Sequence, residues 1–203
     1  MIVEERVMPM NSFKLQAGDI LIDINDGKSA FSLLKRWAIG PYDHASLYLG
    51  MVRLFVGRGQ EHVIKAPMLF ESVGRGVVLR SLFEKYSDKV VVMRLKSEYD
   101  RRRIPHVLAE AIKLASDPES YYDYLCIPRF VLPRLICQKL GLPIPLSWRR
   151  DPWHTCAEAV FEAFYRAKLV AILPRGVVPL PGDFVSSLLL EEVWRGQLSE
   201  EIV

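Results

Sequence analysis

The chain has 203 residues, of which 50% are hydrophobic and 25% charged, a composition typical of a globular protein. The net charge of +3 is too small to predict nucleic-acid binding, and the basic run at 101–103 is interpreted as a solvated helix entrance. Three scattered cysteines make no disulfide framework and favour a reducing compartment. Since neither a secretory signal nor an apolar run of roughly 18 residues occurs, we expect a cytoplasmic location.

Residues 15–96 carry a pattern of short strands with close connections. Strands are predicted at 20–22, 44–49, 51–56, 61–65, 69–73, 77–80 and 90–95, with one helix at 29–37. Gly50 is expected to end or bulge a strand, and the segments 57–59 and 74–76 are typical of hairpin turns. Because short connections join antiparallel neighbours, the sequence predicts a mostly antiparallel sheet.

Residues 104–196 are more helical. Helices are predicted at 104–115, from 131 or 134 to 140, at 156–168 and at 184–193 behind an Asp183 N-cap, with a short strand at 170–173. The apolar segment 125–146 contains four prolines, which exclude one long helix. This segment is interpreted as a covering lobe of the core, with an interfacial patch for a lipid-like substrate as the alternative. We expect a single domain over 1–203 with fraying at 196–203.

The predicted helix at 156–168 begins with the candidate nucleophile Cys156. Thr155 is a suitable N-cap, and Glu158 follows it at the spacing of a capping box. Free N–H groups and a partial positive charge at that helix end favour the thiolate, which is the reactive form of cysteine. A buried structural thiol is the alternative, because free cysteines are often buried.

A cysteine nucleophile needs a base, and the chain offers four histidines. His106 falls within a predicted helix, and His62 begins a strand beside a glycine turn. His154 is close to Cys156 in sequence, but so short a backbone link seldom gives in-line geometry. His44 begins a strand on its more polar face, where a sheet can place the ring against a helix N-terminus. A surface histidine is the alternative at this position.

Glu71 is the candidate for orienting the base. A carboxylate inside an apolar strand is costly unless it is paired, although an edge strand facing water would also accept it. A metal site at His44, His154 and Cys156 lacks the ligand spacing typical of zinc. We therefore expect neither a metal nor another cofactor.

Four motifs, taken in order, resemble the NlpC/P60 superfamily. They are residues 18–21 (GDIL), 42–50 (YDHASLYLG), 70–72 (FES) before Gly76-Val77, and 155–160 (TCAEAV). Ordinary members place the cysteine helix before the histidine strand. The order His44, Glu71, Cys156 is instead similar to the permuted, YiiX/YaeF-like branch, which is related to the lecithin:retinol acyltransferase group. Residues 180–184 (LPGDF) resemble the ending of that branch, so the resemblance covers about 15–196.

This resemblance implies an α+β, papain-like, circularly permuted fold, in which a small antiparallel sheet or barrel packs against helices. It implies a thiol hydrolase with Cys156 as nucleophile, His44 as base and Glu71 as third member. The expected substrate is a small peptide, an acyl-amide or a lipid-like molecule, cleaved through an acyl-enzyme. Tyr42, close before the base, is a candidate oxyanion donor, with ring packing as the alternative.

Two departures from that branch bear on the substrate. Ala157 stands where serine is common, and several relatives are exported although this chain shows no export signal. Three functions stay open: a cysteine amidase or peptidase, a lipid acyltransferase or thioesterase of the same fold, and a non-catalytic interaction module. Peripheral contact of residues 125–146 with lipid would favour the second, whereas an unreactive Cys156 would favour the third.

Overall fold

A computed structural model describes residues 13–25, 40–56, 62–144, 153–174 and 176–203. Its strands are β1 (Ile20–Ile24), β2 (Tyr42–Val56), β3 (His62–Val73), β4 (Gly76–Ser81), β5 (Lys89–Leu95) and β6 (Leu190–Gln197). Within the described ranges these six form one antiparallel sheet in the order β4-β3-β2-β1-β5-β6, as the short connections predict. The helix predicted at 29–37 and the turn predicted at 57–59 lie outside the described residues.

The helices pack mainly on one face of this sheet. They are α1 (Glu98–Arg101), α2 (Ile104–Ala115), α3 (Leu132–Leu140), α4 (Cys156–Arg166) and α5 (Pro181–Val185), with a π-helix at Ile127–Val131 and 3-10 helices at Leu82–Lys85 and Glu200–Ile202. α2 packs on α4, and α4 packs on β2 and β3. In the described part of the chain, no helix is both long and apolar enough to cross a membrane. The protein is therefore an α+β structure built around one antiparallel sheet.

Apolar side chains cover both faces of the sheet. Ile20 and Ile22 of β1 enter a large cluster with α2, α4 and α5, whereas Leu21 enters a second cluster on the opposite face. Tyr48 of β2 also belongs to the second cluster and is 2% exposed. The alternation in β2 predicted that Tyr48 lies on the more polar face, and the structure shows that this side chain is buried. The reason is that the 3-10 helix at Leu82–Lys85 and the C-terminal residues cover that face.

β2 and β3 are each longer than their sequence patterns predict. β2 is one strand of 15 residues, where two were expected. Its pairing with β3 shifts register between Tyr48 and Gly50, and Gly50 adopts a φ of 90°. Because glycine has no Cβ, it accepts that angle at little steric cost. Gly50 therefore bulges the strand and does not end it. β3 is likewise continuous through the residues between its two predicted strands.

The region after α4 departs most from the prediction. The expected helix at 184–193 is wrong, because α5 ends at Val185 and residues 190–197 form β6 against β5. Apolar spacing alone favoured a helix, but pairing with β5 satisfies the backbone groups of both strands. The strand predicted at 170–173 is a turn region instead. The N-cap of α5 is Leu180, so Asp183 lies inside the helix.

The C-terminal residues are ordered, whereas fraying was predicted. Leu198 and Ile202 are buried in the second cluster. The N–H of Leu15 donates to the carbonyl of Ile202 at 2.7 Å. This bond joins the two ends of the described chain on one face of the sheet.

Arg134 joins α3 to α5 through a buried ion pair. Its guanidinium lies 2.6 and 2.7 Å from the two carboxylate oxygens of Asp183 and also donates to the carbonyl of Val178. Arg134→Ala should lower the free energy of unfolding by about 3 kcal/mol, because it leaves a largely buried carboxylate unpaired. Urea denaturation measures this loss. Lys113→Ala removes an exposed pair with Glu110 and should cost less than about 1 kcal/mol. Equal losses would contradict the prediction.

Candidate active site

Cys156 is the first residue of α4, as its capping pattern predicts. The N–H of Glu158 donates to Thr155 Oγ1 at 3.4 Å, and Glu158 Oε2 accepts from the N–H of Thr155 at 2.7 Å. The two hydrogen bonds of this buried capping box fix the start of the helix at Cys156 and stabilise it. The backbone N–H groups of Ala45 on β2 and of Ala157 both hydrogen bond to the Cys156 sulfur. The sulfur therefore lies between the helix start and β2, and Cys156 as a residue is buried, with 8% exposed.

His44 of β2 connects Cys156 to Glu71. Its ring hydrogen bonds to the Cys156 side chain, and its Nε2 lies 2.6 Å from Glu71 Oε2. An imidazole has two nitrogens, so Nδ1 is the one left for the sulfur. The structure thus brings together Cys156, His44 and Glu71, the three candidates from the sequence, which lie on three separate elements.

Glu71 is 1% exposed on β3, which rules out an edge position facing water. Arg80 Nη1 lies 3.0 Å from its Oε1, and Lys85 Nζ lies 3.7 Å from its Oε2. Lys85 also contacts both carboxylate oxygens of Asp23, at 2.7 and 2.9 Å. These cations offset the cost of burying the Glu71 carboxylate. Sequence reasoning missed them, although a two-residue turn at 74–75 places Arg80 diagonally across from Glu71 on the same face.

The electrostatics favour a thiolate beside an imidazolium. Burial raises the pKa of Cys156, but the His44 charge, its hydrogen bond and two backbone N–H groups bring that pKa below the ordinary value. Burial lowers the pKa of His44, but the Cys156 charge and the hydrogen bonds to Cys156 and Glu71 raise it to about 10. Burial raises the pKa of Glu71, but His44, Lys85 and Arg80 lower it to about 2. Each shift favours the charged form of its group, and the three groups titrate as one coupled unit.

A surface cavity of about 410 Å³ opens beside the Cys156 sulfur and the His44 ring. Tyr122 and Tyr124 line one side of it, and their rings lie 4.7 Å apart. Asp43 lines it as well. The cavity gives a small molecule access to Cys156 from solvent.

The backbone of His154 holds the tyrosine loop in this position. Its N–H donates to the carbonyl of Tyr121 at 3.0 Å, and its carbonyl accepts from the buried Ser72 hydroxyl at 2.6 Å. Residue 154 therefore ties the loop at 121–124 and the end of β3 to the start of the nucleophile helix. His154 supports the site through its backbone, whereas His44 provides the ring that hydrogen bonds to Cys156.

Tyr122 is a site residue that the sequence analysis did not select. Burial raises its pKa, and the Cys156 charge raises it further. The hydroxyl therefore keeps its proton beside a thiolate and can donate a hydrogen bond in the cavity. The aromatic run at 121–124 was a signal for an aromatic surface, but only tertiary contacts place it beside Cys156.

Tyr42, the candidate oxyanion donor, has its hydroxyl 3.5 Å from Arg195 of β6. Its ring packs against the large core cluster and approaches Gly182 of α5. This is the ring packing that the sequence analysis held as the alternative. Tyr122 is therefore better placed than Tyr42 to donate to a group bound at Cys156.

Asp123, Cys126 and Glu158 form a buried cluster beneath the site, called the acid–thiol cluster below. One potential metal-ligand atom from each residue lies within 4.8 Å of the others. Asp123 Oδ1 accepts from the N–H of Cys126 at 2.8 Å, and the thiol of Cys126 lies 3.5 Å from Glu158 Oε1. The second Glu158 oxygen accepts from the N–H of Thr155 in the capping box. The cluster is satisfied by hydrogen bonds within the protein.

The fold and the site define a class: an α+β protein in which a helix-start cysteine faces a histidine–glutamate pair on an antiparallel sheet. The structure is similar to the crystal structure of the metalloprotein YiiX from Escherichia coli O157:H7, with a TM-score of 0.54 and 19% identity. The similarity covers 92% of this chain and 100% of that chain. It confirms the YiiX-like architecture at the level of the fold. No protein-family model and no curated protein matches the sequence.

Proposed function

We propose that this protein is a cysteine hydrolase of the papain-like, permuted NlpC/P60 type, which cleaves an amide bond through an acyl-enzyme on Cys156. The observation that carries the proposal is the chain of contacts from the Cys156 sulfur through the His44 ring to the buried Glu71 carboxylate. A cysteine nucleophile is activated by a base that contacts it and by a carboxylate that orients the base. The similarity to YiiX supports the fold that this proposal assumes.

Acylation begins with attack of the Cys156 thiolate on the substrate carbonyl, which forms a carbon–sulfur bond and an oxyanion. The backbone N–H of Cys156, in the first turn of α4, and the Tyr122 hydroxyl are the proposed donors to that oxyanion. The His44 imidazolium then gives its proton to the departing nitrogen as the carbon–nitrogen bond breaks. The products of this step are a thioester on Cys156, neutral His44 and a free amine.

Deacylation uses the neutral imidazole as general base. His44 takes a proton from water as the oxygen attacks the thioester carbonyl, and loss of the carbon–sulfur bond restores the thiolate. Glu71 holds the ring through Nε2 and stabilises its charged form. Protein side chains, backbone N–H groups and water carry every proposed step.

Trapping of the acyl-enzyme tests this function. Intact-protein mass spectrometry after incubation with a small-molecule extract of host cells should show a mass adduct that peptide mapping assigns to Cys156. The adduct should be absent from Cys156→Ala and retained by Cys137→Ala, which removes a cysteine outside the cavity. Absence of an adduct, together with a Cys156 inert to iodoacetamide, would support a non-catalytic module.

A lipid acyltransferase or thioesterase is the second candidate, and the exposed face of α3 favours it. Leu132, Ile136 and Leu140 recur every four residues and are 49%, 49% and 65% exposed. Tyr124 of the cavity is followed by Leu125, which is 60% exposed. An exposed apolar surface of this kind would suit a long acyl chain.

Acyl-chain length separates the two candidates. If α3 binds the chain, Ile136→Asp should raise KM for a dodecanoyl ester and leave an acetyl ester unaffected. Ile112→Asp is the matched control, because Ile112 is 46% exposed on α2. Equal effects of Ile136→Asp on both esters would favour a short peptide or acyl-amide substrate.

Tyr122→Phe should lower kcat/KM by roughly 10²-fold, the loss typical of one oxyanion donor. The iodoacetamide reaction of Cys156 forms no oxyanion, so its rate should change little. Steady-state kinetics and alkylation rates measure the two effects. The control is Tyr121→Phe in the same loop, which is expected to keep full activity. A parallel fall in both rates would indicate that Tyr122 only positions Cys156.

A further inference from the structure

A second surface cavity, of about 430 Å³, lies between the start of α2 and the end of α4 and is called the basic cavity below. Four cationic side chains of the described chain line it, namely Arg102, Arg103, Arg166 and Lys168. His106 and the carboxylate of Glu110 complete the polar lining. The proposed hydrolase mechanism uses none of these residues.

The cationic groups are held together by the packing of α2 on α4. Arg103 Nη1 donates to the carbonyl of Ala167 at 3.3 Å, which joins the two helix ends. Arg166 Nε lies 2.8 Å from Glu162 Oε1, one turn earlier in α4. Like charges held at the rim of one cavity repel each other, so the arrangement is unfavourable until an anion enters.

The nearby carboxylates neutralise only part of this charge. Glu110 Oε1 lies 2.6 Å from Lys113 Nζ, and Glu162 is engaged by Arg166. Across the described residues, no ion pair involves Arg102 or Lys168. The first turn of α2 contains no acidic side chain. Two full positive charges therefore remain for a ligand.

Lys168 occupies a backbone conformation that favours glycine. It directly follows the C-cap residue of α4 and has a φ of 68°, in the left-handed region. A lysine at this position accepts a steric cost that glycine would avoid. Its charge lies on the cavity wall as a result.

We propose that the basic cavity binds a small ligand carrying a phosphate or comparable dianionic group. Guanidinium groups match phosphate oxygens in paired hydrogen bonds, and an ammonium adds a point charge. The α4 residues Cys156 and Arg166 are ten positions apart, about 15 Å along a helix. The bound ligand therefore lies at the far end of the nucleophile helix and outside the reaction cleft.

Calorimetric titration of the full chain with inorganic pyrophosphate, at an ionic strength kept constant with chloride, tests the proposal. Saturable binding to one site is expected. Arg102→Gln combined with Lys168→Gln should weaken it by about tenfold or more, because two charged contacts are removed. The matched control is Arg53→Gln with Lys65→Gln, a cross-strand pair of exposed cations on β2 and β3. No saturable heat, or equal weakening in both double variants, would overturn the proposal.

Flotation with vesicles distinguishes a soluble phosphate compound from a lipid headgroup. Binding to phosphatidate-containing vesicles, but not to pure phosphatidylcholine, with the same dependence on Arg102 and Lys168 would identify a headgroup. Pyrophosphate binding without flotation would identify a soluble ligand. Cys156 alkylation in the same samples should stay unchanged in both double variants, so failure of this proposal is distinguishable from failure of the hydrolase proposal. A slower alkylation confined to the Arg102 and Lys168 variant would contradict a separate site.

Discussion

Replacing Cys156 with alanine is expected to abolish acyl-enzyme formation and to lower amidase turnover by about 10⁴-fold or more, as removal of a nucleophile does in related catalytic chains. In the proposed mechanism, the Cys156 sulfur is the atom that forms the covalent intermediate. Turnover of the substrate identified by mass spectrometry measures the loss. The variant should stay folded, because the capping box between Thr155 and Glu158 does not use the sulfur.

The pH dependence of alkylation shows whether Cys156 is a nucleophile or a structural thiol. Burial raises the pKa of Cys156, but the His44 charge and its hydrogen bond lower it below the ordinary value, so iodoacetamide should react with Cys156 below pH ~8.5, where an ordinary thiol titrates. His44→Ala removes the charge and the hydrogen bond, and should move the midpoint of the alkylation profile upward. Cys137→Ser serves as the control and should leave the profile unchanged. A wild-type midpoint at or above the ordinary value would argue against the hydrolase proposal.

Glu71→Gln is expected to have the second largest effect, lowering kcat by about 10²- to 10⁴-fold by analogy with the loss of a triad carboxylate. An amide can still accept from His44 Nε2–H, but it cannot stabilise the imidazolium charge. The change also leaves Arg80 and Lys85 facing a neutral buried group. Stability should therefore fall by about 3 kcal/mol, as when one member of a buried ion pair is removed. Kinetics and urea denaturation of the same preparation measure both effects.

Glu84→Gln is the matched control for this prediction. Glu84 Oε2 lies 2.5 Å from Arg80 Nη2 and is largely exposed, so it binds the same guanidinium without touching His44. Its loss should change stability by less than about 1 kcal/mol and leave kcat intact. If both variants were equally active, Glu71 would be a structural counter-ion and no part of the catalytic machinery.

The Glu71 carboxylate also predicts that the protein loses stability at acid pH, called the acid limb below. The pKa of Glu71 falls from 4.5 to about 2 on folding, so its contribution is complete above pH 4.5 and is lost as the pH falls towards 2. The pKa of His44 rises from 6.5 to about 10, so its own contribution is complete below pH 6.5 and is lost as the pH rises through 10. The lowered pKa of Cys156 contributes in the opposite direction, so the alkaline loss shows mainly near the upper end of this range. Unfolding midpoints measured across this range should show both limbs in the wild type. Glu71→Gln should reduce the loss of stability at acid pH. His44→Ala should reduce the loss of stability at alkaline pH.

The local features of the site were predictable because they depend on neighbours in sequence. The capping box is decided by residues three apart, and it makes Cys156 the first residue of α4. For Glu71 the sequence indicated only that a carboxylate inside an apolar strand requires a partner or water, and the structure buries it with partners. The strands β1, β4 and β5 also agree with their patterns, because each is short and apolar.

β6 and the tyrosine loop could not be predicted in this way. Residues 184–193 carry apolar spacing that suits a helix, yet residues 190–197 pair with β5, whose open edge cannot be seen in local sequence. Tyr42 lies near His44 in the chain but directs its hydroxyl to Arg195. Tyr122, far from both in sequence, lines the cavity with Cys156.

The sequence by itself determined the parts of this protein that short-range forces control, such as the start of α4 at Cys156. It also selected Cys156, His44 and Glu71 as the candidate thiol, base and carboxylate. Only the tertiary structure decided which groups surround them. Arg80 and Lys85 meet Glu71, and the N–H of Ala45 meets the Cys156 sulfur, through contacts between separate elements. The physical reason is that pKa shifts and cavity walls depend on distance in space, which strand pairing and helix packing set.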